Sequence, residues 1–130
     1  MELGFLPPWI APILRIIIGI LFLAHGFPKI RSPERAATHL LKLGIPWPKL
    51  SAVIIGIIEF LGGIALLLGF ETRIVSTLLA VIMLVGAVKR KIKLKEAVWF
   101  ELIMVAMLIA LIIIGAGSYS IDQRFGWLLG

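Results

Sequence analysis

Four stretches of this 130-residue chain, about residues 9–27, 51–69, 72–88 and 97–115, are nearly unbroken runs of Ile, Leu, Val, Ala, Phe and Gly. Hydrocarbon offers a backbone amide no hydrogen-bond partner, so only a helix or a closed barrel crosses it, and a helix needs about 20 apolar residues to do so. The runs predict an all-α fold, an integral membrane four-helix bundle. Composition agrees, with 61% hydrophobic residues where soluble domains carry about 45–50%. The chain between the runs is too short to make a soluble domain. No Lys or Arg precedes Arg15, so a signal peptide with a basic leading region is a poor reading and the first helix is expected to persist.

The net charge of +6 is a topology signal rather than a nucleic-acid footprint. Ten of the thirteen basic residues fall in two connections: Lys29, Arg31, Arg35, Lys42 and Lys49 in one, and Lys89, Arg90, Lys91, Lys93 and Lys95 in the other. Basic loops stay cytoplasmic, so segments 28–50 and 89–96 are expected inside and both termini outside a cell membrane. The partner so implied is the lipid bilayer. Cysteine and asparagine are absent and Gln123 is the one glutamine; this removes disulfide, thiolate-metal and covalent haem chemistry and points to a heat-adapted source.

The first connection has internal order. In "SPERAATHLLKLG", Ser32 stands at an N-cap, Pro33 at the first helical position and Gly44 just past the end, which predicts a short interfacial helix over 33–43 between the first two spans. Ala37, Leu40 and Leu41 would form its apolar face, with His39 solvated. "IPWPKL" then gives a rigid approach to the second span, and "KRKIKLKE" reads as the second inner turn.

Ionisable residues inside the spans are the informative ones, because a charge at mid-bilayer costs about 2.5–3.5 kcal/mol and such groups face the bundle interior and pair there. At about 1.5 Å per residue, Arg15 lies one to two turns below the outer surface, Glu59 near mid-helix, and His25 and Glu101 near the inner surface. Depth and charge predict the pairs Arg15 with Glu59 and His25 with Glu101, while Lys29 marks the inner boundary. Gly19 and Gly26 share a stripe with Arg15; Gly56, Glu59 and Gly63 share another, with Gly62 alongside, so the charges fall on packing faces. An internal repeat is visible: Arg15, Gly26 and Lys29 are echoed by Arg73, Gly86 and Lys89, and Glu59 before Gly69 by Glu101 before Gly115. No phosphate loop, nucleophile triad or metal cluster is present in the sequence.

The segments "RIIIGILFLAHGFPKI", "LGIPWPKLSAVIIGIIEFLGGIALLLGFETR" and "GAGSYSID" together resemble the DoxX family of small four-helix membrane proteins. The resemblance covers about residues 13–122 and implies one DoxX-like domain over 1–130. It brings the tail residues Gly117, Ser120 and Asp122 to notice beside Arg15, His25, Lys29, Glu59 and Glu101. It also implies a quinone-interacting subunit of a membrane oxidoreductase system, with quinone as the ligand, none bound covalently, and a redox partner subunit or homo-oligomer as the setting. A non-enzymatic scaffold and a small-solute or proton conduit stay open beside that reading.

Overall fold

The structure is a computed structural model, described over residues 7–114. Five helices follow one another: α1 Ile10–Arg31, α2 Pro33–Lys42, α3 Pro48–Leu68, α4 Thr72–Leu94 and α5 Trp99–Ile114. Among the described residues there is no strand. α1, α3 and α4 are each long and apolar enough to cross a membrane, and α5 is a shorter apolar helix of 16 residues. Their outward faces carry exposed Ile, Leu, Val and Phe side chains, such as Ile17, Ile20, Ile57 and Leu78, as a lipid-facing surface requires.

α1 and α3 pack closely along a seam of glycines. A Cβ added to Gly19 would stand 2.9 Å from the Gly63 carbonyl oxygen, and one added to Gly26 would stand 2.7 Å from that of Gly56. The two backbones are therefore in direct contact, and the crossed order of the pairs makes the helices antiparallel. This is the close approach that small residues permit between helices in lipid. Gly62 faces α4 instead, where its Cβ would meet the Leu79 side chain.

Two helix ends match their sequence signals. At the end of α2, Gly44 (φ 76°) donates to Leu41 and Ile45 to Leu40; at the end of α3, Gly69 (φ 71°) donates to Leu66 and Phe70 to Ala65. Both are Schellman motifs, whose left-handed residue is nearly always glycine because a Cβ is strained there. Ser32 occupies the expected N-cap position of α2 without a side-chain cap bond, and its N–H closes the last turn of α1 on Pro28. The buried side of α2 is Leu40 with Leu43, and Ala36 packs beside them; Leu41 is 65% exposed. Glu34, on the opposite side, is held below the usual carboxylate range by its own backbone N–H and then by Lys49, 3.4 Å away.

Two helices outrun the sequence reading. α1 continues through Pro28 to Arg31, because a proline in the last turn gives up one amide bond without ending the helix. α4 runs on to Leu94, so most of the basic run is helix rather than turn. Both extensions lie at the same end of the bundle as α2, here termed the basic end.

The core fills the middle and the opposite end. Ile18 and Phe22 of α1, Leu66 of α3, Leu79 and Met83 of α4 and Met104, Leu108 and Leu111 of α5 form one buried cluster.

Candidate functional site

At the basic end the bundle is not filled. A cavity of about 460 Å³ opens there, lined by α1, α2, α3, α4 and α5. Most of its wall is apolar, including Ile55, Val81, Ile82, Met83, Val85 and Ala87, and six ionisable side chains enter it: His25, Lys29, His39, Glu59, Arg90 and Glu101. Gly86 also lines it, and a Cβ built there would meet nothing within 4 Å.

The carboxylates are paired with cations from their own helical hairpin. Glu59, 1% exposed, forms an ion pair with Lys29, and Glu101 forms one with Arg90. Arg90 also donates to the Ala97 carbonyl at 2.8 Å and faces Glu96 at 3.6 Å. The second carboxylate oxygen of Glu101, Oε2, is buried and has no hydrogen-bond partner among the described residues. His25 Nδ1 lies 3.1 Å from the Leu21 carbonyl oxygen, and since a carbonyl only accepts, Nδ1 donates this bond. Its ring stacks on Phe100, with centroids 5.2 Å apart and planes 11° from parallel.

Both expected pairings change partner. Glu59 pairs with Lys29 because α1 stays helical past Pro28 and keeps Lys29 one turn beyond Gly26, on the face that meets Gly56. Glu101 pairs with Arg90 because α4 extends past Val88. His25 meets Glu101's neighbour, Phe100, and lines the same cavity as Glu101.

Arg15 does not line the cavity. It is 2% exposed, and its Nη1 donates to the carbonyls of Leu66 at 3.0 Å and Leu67 at 3.2 Å. These belong to the last turn of α3, where carbonyls lack their i+4 amide partner and the helix dipole is negative. The contact lies about 10 Å along α3 from Glu59. Arg15→Met is expected to lower stability by about 3 kcal/mol, because hydrogen bonds to charged groups contribute about 1.5–3 kcal/mol each. It should leave ligand affinity in the cavity unchanged, since distant sites act independently. Thermal unfolding and a binding titration on the same sample check both parts.

The internal repeat has a structural counterpart. In α1 and α3, Arg15 reaches the far-end carbonyls and Lys29 holds Glu59; in α4 and α5, Arg73 reaches the Ile113 carbonyl at 3.5 Å and Arg90 holds Glu101. Arg90, rather than Lys89, is the counterpart of Lys29. Each hairpin thus brings one cation–carboxylate pair to the cavity between them. Arg90 and His39 are the lining residues that sequence reasoning left aside. The missed signal for Arg90 was the absence of any Gly or Pro from Ala87 to Glu96, which lets α4 continue. Gly117, Ser120 and Asp122 lie outside the described residues. Among the described residues, no group of three His, Cys, Asp or Glu is placed to hold a metal ion.

Comparison with known proteins agrees with this architecture. The DoxX family model matches residues 10–90, more than half of the chain. The chain is 32% identical over 113 residues to the Bacillus subtilis protein named "Putative oxidoreductase CatD", covering 85% of this chain and 82% of that one. It is 33% identical over 116 residues to the Escherichia coli inner membrane protein YqjF, covering 85% of this chain and 88% of the other. The E. coli inner membrane protein YphA is 32% identical over 77 residues, 59% of this chain and 55% of its own. No solved structure matches. The chain is a membrane protein of the DoxX family.

Proposed function

We propose that this protein is a quinone-binding subunit of a membrane oxidoreductase system, with the basic-end cavity as its quinone site. The observation that carries the reading is the cavity itself, with its apolar walls and one ion pair facing it from each hairpin. Small-molecule sites typically measure about 300–1,000 Å³ and combine apolar walls with a few placed polar groups. A quinone headgroup is flat, apolar on its faces and polar at two opposite oxygens. Ile55, Val81 and Met83 would hold its faces; Lys29 and Arg90 would supply donors to the two ends. Gly86 leaves room for it, and the Glu101 Oε2 marks a polar position still open to a ligand. When bound, a quinone supplies two-electron, two-proton chemistry. The chain's own contribution is to orient it and to keep carboxylates and His25 beside its oxygens, where protons are exchanged.

The CatD name supports the oxidoreductase setting. With no cysteine and two histidines in the sequence, electrons would pass through a partner subunit or a second copy of the chain. The ten basic residues at the cavity end favour its facing the cytoplasm, with both termini outside. The composition fits a heat-adapted source.

The test is titration of detergent-purified protein with decylubiquinone, followed by tryptophan quenching, together with solvent extraction of what co-purifies. Saturable binding is expected. Gly86→Leu should weaken it at least about tenfold by filling the cavity without a backbone clash, and replacing a helical glycine raises helix propensity by about 0.8 kcal/mol, so stability should not fall. Absence of saturable binding by the wild type, alone or reconstituted with its partners, would remove the proposal.

A further inference from the structure

Resting on that reading of the cavity, we infer that the site selects the reduced, hydroxyl-bearing form of its ligand, and that Glu101 is the residue that makes the selection. Glu101 uses one oxygen, Oε1, in its ion pair with Arg90. A carboxylate so paired is ionised and accepts hydrogen bonds without donating any. Its other oxygen is buried and has no partner among the described residues, and Glu101 lines the cavity. A buried acceptor without a donor is costly, and the cost is relieved by a ligand that brings an O–H to it.

The two redox forms of the ligand differ in this respect. A quinone presents two carbonyl oxygens, both acceptors, so a quinone oxygen set against Glu101 Oε2 places acceptor against acceptor. A quinol presents two hydroxyls, and one can donate to Oε2 while the other accepts from Lys29 across the cavity. Lys29 serves either form, because hydroxyl and carbonyl oxygens both accept. Arg90 holds Glu101 and the Ala97 carbonyl, and its Nε is buried without a hydrogen-bond partner among the described residues; that donor, like Lys29, serves either form, whereas only a hydroxyl can also donate to Glu101 Oε2.

The experiment compares three ligands of one shape on the full-length protein in detergent: decylubiquinone, the quinol kept reduced under anaerobic conditions, and the quinol's dimethyl ether, which has no O–H. The quinol should bind at least about tenfold more tightly than the quinone, the fold-change expected from a hydrogen bond to a charged group. The dimethyl ether should bind no better than the quinone. In Glu101→Gln, whose amide can donate to a quinone oxygen, the preference should fall to near unity. Equal affinity for quinol and quinone, tighter quinone binding, or a preference that survives in Glu101→Gln would each overturn the inference while leaving quinone binding intact. Binding of none of the three would overturn the proposed function with it. The ether comparison uses the wild-type protein, so the result stands even if Glu101→Gln fails to fold.

Discussion

Lys29→Met is expected to lower the stability of the protein by about 3–5 kcal/mol at neutral pH, the usual cost of removing one partner of a buried ion pair. Glu59 is 1% exposed, pairs with Lys29 and lines the basic-end cavity, so it is not solvated. Without the ammonium, the carboxylate must remain as an uncompensated buried charge or take up a proton, and either outcome disfavours the folded state. The double variant Lys29→Met with Glu59→Met should recover most of the loss, because replacing both partners by apolar groups of similar volume is often neutral. Thermal unfolding of the two variants in one detergent separates these outcomes. A single variant as stable as wild type would show that the pair does not hold α1 to α3.

Gly26→Leu should be comparably damaging. A Cβ at this position stands 2.6 Å from the Phe60 amide nitrogen and 2.7 Å from the Gly56 carbonyl oxygen. Both are backbone atoms, so no side-chain rotation relieves the clash and the helices must separate. Overpacking a well-fitted interior costs about 1–3 kcal/mol even where neighbours can shift, and here the larger end of that range or more is expected. The α1/α3 seam also sets Lys29 against Glu59, one turn on, so separation weakens the ion pair too. Size-exclusion profile and melting temperature measure the effect. Gly86→Leu is the control, since the same added bulk meets open space; similar losses in the two variants would contradict the packing described.

Much of this architecture is legible in the sequence because it follows from simple forces. Apolar runs of spanning length reveal the helices of the bundle, and glycines two turns apart reveal the faces that meet. Gly44 marks the end of α2 because its positive φ strains other residues. What the sequence hides is set by chain continuity and reach. Pro28 looks like a terminator, yet in a final turn it forfeits a single amide bond, and the extra turn carries Lys29 to Glu59. The run after Val88 looks like a polar turn, yet Lys and Arg are good helix formers, and α4 carries on for six residues to Leu94, the second of which, Arg90, pairs with Glu101. Depth alone matches Arg15 with Glu59, but the guanidinium also finds acceptors in the Leu66 and Leu67 carbonyls at the end of α3. His39 reads as a solvated residue of α2 and is exposed, but the cavity beneath α2 exists only in three dimensions.

The proposed function requires the ionisable residues of both hairpins to serve a single ligand cavity at the basic end. The most direct measurement is an experimental structure of the protein purified from membranes with decylubiquinone added. It should show ligand density bounded by His25, Lys29, Glu59, Gly86, Arg90 and Glu101, with one ligand oxygen within hydrogen-bond distance of Glu101 Oε2. A bundle closed at this end, with side chains filling the space beside Gly86 and no ligand between the two ion pairs, would contradict it and leave those pairs as fastenings between helices.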